Sequence, residues 1–276
     1  MKTICSARAK GRELLKNAGI DTYALDTDLL LMHALKIDKN VLLTNPNQPI
    51  DKIAATDFQN LLESRLRHKP IQYILGKCEF MSLEFIVNEN VLLPRPDTEI
   101  LVETILSKEK SANGLEIGVG SGCISISLAY YGENITMLGV DISPDAVEIA
   151  RKNQKEGQVE FRTSDLFENV PRGTFFDFVV SNPPYIKAGD IGGLGMQVKD
   201  YEPKIALDGG VDGLEFYRQI VRQAKEYLAE RGRIYFEIGH DQGLDVKNIL
   251  VEAGFDNIKV VKDLAGRDRV VCATCI

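Results

Sequence analysis

Leu115-Glu116-Ile117-Gly118-Val119-Gly120-Ser121-Gly122 decides the fold, together with Gly139-Val140-Asp141 about twenty residues on. A short apolar run enters a turn with glycines at 118, 120 and 122, and an amphipathic helical pattern follows over 123–131. Alternate glycines at a strand–helix junction permit positive φ and let the backbone approach a ligand closely. Outward from this turn the chain alternates short apolar strands with helices. Strands are expected at Leu115–Ile117, Met137–Val140, Val159–Thr163, Phe176–Val180, Ile234–Ile238, Ile258–Val261 and Val270–Ala273. Helices are expected at 98–110, 123–131, 144–154, 213–230 and 242–253. Such alternation argues for a Rossmann-like, doubly wound α/β sheet with crossover helices.

The residues before this region read differently. Leu14, Leu15 and Ala18 mark one helical face, Thr27 can cap a helix carrying Leu29, Leu30 and a partly buried His33, and Asp57 to Arg67 form a third helix. Glu84–Val87 and Val91–Leu93 are β-type runs around a possible turn at Asn88-Glu89-Asn90. The expected organisation is a helical domain over 1–75, a hairpin and linker over 76–94, and an α/β domain over 95–276. No repeat or low-complexity segment interrupts it.

Composition narrows the function. The 276 residues are 44% hydrophobic and 26% charged, with net charge −7, as in ordinary globular proteins. Residues 1–80 carry 12 basic and 9 acidic side chains, net +3, and residues 81–276 carry 21 and 31, net −10. An acidic α/β half is poorly suited to neutralising phosphates, so direct nucleic-acid binding is not expected. No apolar run approaches the ~20 residues of a membrane span, and Met1 to Arg8 has no apolar signal core, so a cytoplasmic protein is expected. Five scattered cysteines fit a reduced protein, and the lone pair Cys272 and Cys275 reads as two small hydrophobes. His33, His68 and His240 show no ligand spacing, so no metal is expected. A monomer is expected.

The glycine turn lacks both the dinucleotide and the P-loop spacing, which favours an adenosine cofactor without pyrophosphate. S-adenosylmethionine fits. Glu116 is placed to meet a cationic group and Asp141 to accept from ribose hydroxyls. In Ser164-Asp165-Leu166-Phe167, Asp165 can take the adenine amino group while Leu166 covers the ring.

Ser181-Asn182-Pro183-Pro184-Tyr185, directly after an expected strand, carries the chemistry. Two consecutive prolines fix both φ angles and remove two donors, which leaves Asn182 and the Pro183 carbonyl as rigid acceptors. Acceptors converging on one NH₂ group are what methylation of a conjugated nitrogen needs, because charge develops there in the transition state. Tyr185 offers a flat face to a planar amide or base. Asn182, Pro183 and Tyr185 are thus the catalytic candidates, with Pro184 completing the substrate pocket. The sulfonium is an excellent leaving group and the product nitrogen loses its proton to water, so no general base is required.

The sequence resembles the HemK-type glutamine N5-methyltransferases that modify peptide chain release factors. The resemblance rests on Pro70-Ile71-Gln72-Tyr73-Ile74-Leu75-Gly76, Val91-Leu92-Leu93-Pro94-Arg95-Pro96-Asp97-Thr98-Glu99, the glycine turn, Ser164–Phe167, Asn182–Ile186, Tyr201-Glu202-Pro203 and Glu237-Ile238-Gly239. It implies a class I methyltransferase sheet behind a helical substrate-recognition domain. It also implies that Gly118, Val119, Gly120, Ser121, Gly122, Asp141, Leu166 and Asn182 surround S-adenosylmethionine, and that Asn182 to Tyr185 hold the glutamine of a Gly-Gly-Gln loop. Glu116 stands where Asp is more usual, Val119 where Thr is common and Asp97 where Glu is. Arg95 and Glu99 either shape the loop near the site or form a structural ion pair. Asn-Pro-Pro-Tyr alone is shared with adenine-N6 methyltransferases, and a sister family modifies a ribosomal-protein glutamine. A non-catalytic module would leave both motifs unexplained.

Overall fold

The computed structural model describes residues 2–154 and 159–276. They form two compact units, Met1–Gly76 with Met196–Tyr201, and Lys77–Gly195 with Glu202–Ile276. Among the described residues no helix is long and apolar enough to cross a membrane.

The first unit is helical: α1 (Ile4–Asn17), α2 (Tyr23–Leu35), α3 (Lys39–Thr44), α4 (Lys52–Leu66) and α5 (Ile71–Leu75). Ile4, Leu15, Leu30, Leu31, Phe58 and Leu62 meet in its core. Three expectations are corrected here, the last of them the partial burial of His33. α2 starts at Tyr23 after Thr22, and Thr27 lies inside it, its hydroxyl donating to the Tyr23 carbonyl at 2.7 Å. A threonine can back-bond within a helix as readily as cap one. α4 begins at Lys52, where the Asp51 side chain accepts from the Ala54 amide, so the third expected helix starts earlier than Asp57. His33 is exposed. Arg65 and Asp26, both almost fully buried, pair at 2.7 Å between α4 and α2.

The second unit opens with a hairpin of β1 (Lys77–Phe80) and β2 (Leu83–Ile86). Its turn is Met81-Ser82, both at positive φ (50° and 58°), rather than Asn88–Asn90. That conformation normally calls for glycine or asparagine, which is why the sequence pointed to the wrong place. Phe80 and Phe85 pack edge-to-face into the core below, and Asn153 bonds both the amide and the carbonyl of Ile86.

The remaining elements are α6 (Pro96–Leu106), β3 (Ser111–Ile117), α7 (Cys123–Tyr131), β4 (Asn134–Asp141), α8 (Pro144–Asn153), β5 (Val159–Thr163), β6 (Phe176–Ser181), α9 (Met196–Lys199, in the first unit), α10 (Glu215–Ala224), β7 (Leu228–Glu237), α11 (Gly243–Glu252), β8 (Phe255–Lys262) and β9 (Asp268–Cys275). The helix expected over 213–230 ends at Ala224, because Leu228 already pairs with Phe176 in the sheet. The seven strands run in the order β5-β4-β3-β6-β7-β9-β8, parallel throughout except for β9, which is antiparallel to both its neighbours.

Period-two alternation loads both faces of this sheet with apolar side chains, as a covered parallel sheet requires. Leu115, Ile117, Val179, Ile234 and Phe236 enter one core, and Phe178, Val180, Tyr235 and Val270 the other. Glu116, between Leu115 and Ile117, therefore projects to the second face, beneath the start of α7. The connections reverse direction between β3 and β6, which pair directly. That switch point, at the carboxyl ends of the strands, is where open α/β sheets bind ligands.

Candidate active site

A cavity opens at the switch point. Its wall includes Glu116, Gly118, Val119, Gly120, Ser121, Asp141, Asp165, Leu166, Asn182, Pro183 and Pro184, nearly all of the residues singled out from sequence. Two stand off the wall. Gly122, at φ 82°, precedes α7 and packs against Ala150. Tyr185 directs its hydroxyl to Glu237 Oε1 at 3.5 Å.

The floor is the glycine turn. Gly118, Gly120 and Gly122 all have positive φ, and a Cβ placed on Gly118 or Gly120 would meet nothing within 4 Å. Backbone conformation, with open space above it, thus demands glycine at 118 and 120. The turn is tied to β4: the Gly118 and Val119 amides donate to the Val140 carbonyl at 2.8 and 3.0 Å. Asp141 accepts from Gly120 N at 2.8 Å through Oδ2 and from Ser143 N at 2.9 Å through Oδ1. Burial nevertheless raises its pKa, against the pull of these amides.

Glu116 is a strongly perturbed group of the floor. It is 1% exposed, and Oε2 takes both the amide and the hydroxyl of Ser125 in the first turn of α7. Oε1 has no partner. Burial pushes this carboxyl up to about 8, the Ser125 bonds only partly offsetting it. A buried carboxylate oxygen without a donor is costly, and a cationic ligand group in the cavity would satisfy it.

One side wall is Ser164-Asp165-Leu166. Leu166 adopts φ 45°, unusual for a bulky non-glycine residue, and is held there by Ser164, whose hydroxyl donates to its carbonyl at 3.0 Å. Asp165 is exposed at the rim. The opposite wall is the Asn-Pro-Pro stretch at the end of β6. Ser181 Oγ donates to the Ile117 carbonyl at 2.6 Å, joining the ends of β6 and β3. Beyond the prolines, Ile186 N donates to Leu207 O and Gly209 N to Ile186 O. Asn182 Nδ2 lies 3.5 Å from Thr98 Oγ1, which leaves Oδ1 on the other edge of the amide.

Thr98 and Glu237 received no role from sequence, although both sit in stretches quoted for the resemblance. Their shared signal is burial of a polar group beside the Asn-Pro-Pro-Tyr loop. Arg95 pairs with the buried Glu202, and Glu99 accepts from Met81 N at 2.7 Å. Of the two readings left open for Arg95 and Glu99, each therefore makes a tie to a different segment, with no bond between them among those found.

The chain matches known proteins along its length. Residues 6–76 match the sequence model of the PrmC N-terminal domain, and residues 96–197 that of the methyltransferase small domain. It is 42% identical over 278 residues to the release factor glutamine methyltransferase of Clostridium acetobutylicum, covering 98% of both chains. The chain belongs to the release factor glutamine methyltransferase family. The protein of the same name from Clostridium botulinum is 42% identical over 272 residues, with 96% of each chain covered. Among solved structures, a methyltransferase from Pyrococcus furiosus superposes with TM-score 0.55 at 21% identity, over 71% of this chain and 91% of that one, a likeness of fold. The family membership and the sheet order agree: this is an S-adenosylmethionine-dependent methyltransferase.

Proposed function

We propose that the protein transfers a methyl group from S-adenosylmethionine to the side-chain amide nitrogen of the glutamine in the Gly-Gly-Gln motif of a peptide chain release factor. One observation carries this reading: Asn182 and Pro183 line the same cavity as the open glycine turn and Glu116, whose Oε1 is unpartnered. When bound, S-adenosylmethionine supplies an electrophilic methyl group on a sulfonium. Glu116 Oε1 accepts from the ammonium of its methionine portion, Asp141 from the ribose hydroxyls, and Asp165 and Leu166 bracket the adenine. The Gly118, Val119, Gly120 and Ser121 backbone forms the floor, with Gly122 opening the helix.

The chain's part in the chemistry is alignment. An amide nitrogen is a poor nucleophile because its lone pair is delocalised. Asn182 Oδ1 and the Pro183 carbonyl accept the two N–H bonds and turn the lone pair toward the methyl group. As positive charge grows on nitrogen these acceptors strengthen, which lowers the barrier more than it stabilises the ground state. Pro184 holds the loop rigid, and Tyr185 packs its ring beside the amide plane. The proton then leaves the nitrogen for water. The helical unit, with its excess of positive charge, reads the release factor. The protein works as a monomer in the cytoplasm, where release factors act.

The test is incubation with methyl-labelled S-adenosylmethionine and purified release factor, followed by peptide mapping. Label on the Gly-Gly-Gln glutamine is expected. Label on DNA or on a ribosomal protein, with none on release factor, would overturn the assignment.

A further inference from the structure

Asn182 can serve as an acceptor only if its amide oxygen, rather than its NH₂ group, faces the cavity. The two edges have nearly the same shape, so packing cannot choose between them. Something must fix the orientation, and two buried polar residues outside the glycine turn are placed to do so.

Thr98, 2% exposed in the first turn of α6, sets Oγ1 at 3.5 Å from Asn182 Nδ2. It also lies beside the carboxylate of Glu237, 1% exposed at the carboxyl end of β7, and its hydroxyl holds that carboxyl's pKa down. Glu237 Oε1 receives the Tyr185 hydroxyl at 3.5 Å, and Oε2 has no hydrogen-bond partner. The groups facing this carboxylate are Thr98 and Asp97 from α6, Tyr185 from the loop after β6 and Arg269 from β9. The Tyr217 hydroxyl from α10 donates to the Glu237 main-chain carbonyl instead.

We propose that Glu237 and Thr98 are positioning residues that fix which edge of the Asn182 amide faces the substrate. The inference rests on the reading of Asn182 as the substrate's acceptor. A threonine hydroxyl has one proton. An ionised carboxylate only accepts, so Thr98 gives that proton to Glu237. Its lone pairs then face Asn182 and can be met only by a donor, the Nδ2 amide. Oδ1 is thereby turned to the cavity. The 3.5 Å separations are long for such bonds and are of the kind that tighten when a ligand fills the site. Tyr185 hangs from the same carboxylate, so one buried acid sets both the acceptor and the flat face of the pocket. If Glu237 is protonated it can donate to Thr98, which frees the threonine proton for Asn182 Oδ1 and turns NH₂ toward the substrate. Burial brings that titration to about 7, with Thr98 and Arg269 holding it down and Asp97 raising it.

The experiment compares wild type, T98V, T98S and E237Q in the full chain. Steady-state transfer to release factor is measured from pH 6 to 9, and S-adenosylhomocysteine binding separately. The Asn182 side-chain amide is followed by ¹⁵N-asparagine NMR. T98V is expected to lower kcat by about 10- to 100-fold with S-adenosylhomocysteine affinity unchanged, and to give a second Asn182 amide signal. T98S is expected to restore both. Wild-type kcat is expected to fall below pH 7, and E237Q to remove that limb. A T98V enzyme with wild-type kcat and one Asn182 signal overturns the proposal, as does a T98S enzyme as impaired as T98V. A wild type that methylates no release factor, yet shows the Thr98-dependent Asn182 signal, sinks the substrate assignment and leaves the positioning role standing.

Discussion

Glu116→Gln should make the ligand-free protein more stable and the cofactor-bound protein less so. Burial raises the Glu116 carboxyl from 4.5 to about 8 in the folded chain. The sign follows from proton uptake. Below pH 4.5 the group is protonated in both states and contributes no difference. Between 4.5 and about 8 the unfolded chain has released its proton and the folded chain has not, so stability falls as pH rises, by about 1.4 kcal/mol per unit. Above pH 8 both states are ionised and the cost levels off, at a ceiling of about 5 kcal/mol for the full shift. Glutamine keeps an oxygen for the Ser125 amide and carries no charge to desolvate. The assay is urea unfolding of wild type and E116Q between pH 5 and 9, with and without S-adenosylhomocysteine. The excess stability of E116Q should grow from pH 5 to 8 and then stay flat. The ligand's ammonium compensates the charge in wild type alone, so ligand should stabilise wild type more, by about 1–3 kcal/mol for the lost charge-assisted bond. A stability difference independent of pH, or equal ligand affinities in the two proteins, would refute the reasoning.

Two further outcomes test other parts of the molecule. Asn182→Ala should abolish methyl transfer while S-adenosylhomocysteine binding, measured by calorimetry, weakens only modestly; loss of the folded state instead would mean that the Asn-Pro-Pro turn is merely structural. Arg65→Met leaves Asp26 buried without its cation, so urea unfolding should show a loss of about 3–5 kcal/mol, and adding Asp26→Asn should recover part of it. A loss below about 1 kcal/mol would contradict the burial of that pair.

What was legible in the sequence was whatever a residue does to its own backbone. Gly118, Gly120 and Gly122 had to be glycine for their φ angles, and Pro183 and Pro184 rigidify any chain that carries them. Those constraints are local, so the turn, the loop and the sheet between them could be read in advance. The hairpin failed under the same logic, because Met81 and Ser82 adopt positive φ without the residue types that announce it. Tertiary packing of Phe80 and Phe85 holds them there. The side chains that tune the site are a different matter. Arg95 finds Glu202 across 107 residues, and Thr98 finds Asn182 across 84. Neither partner alters the other's local conformation, so no spacing or periodicity records the pairing. Asn182 shows why this matters for function. Its presence says that an amide is available, but an amide is donor on one edge and acceptor on the other. On the positioning proposal, which edge meets the substrate is decided by Thr98 on a helix that precedes the whole sheet and by Glu237 on a strand that follows β6. On that proposal a motif carries the acceptor while the residues that give it a direction lie outside it, and exchanging them should alter rate with the motif intact.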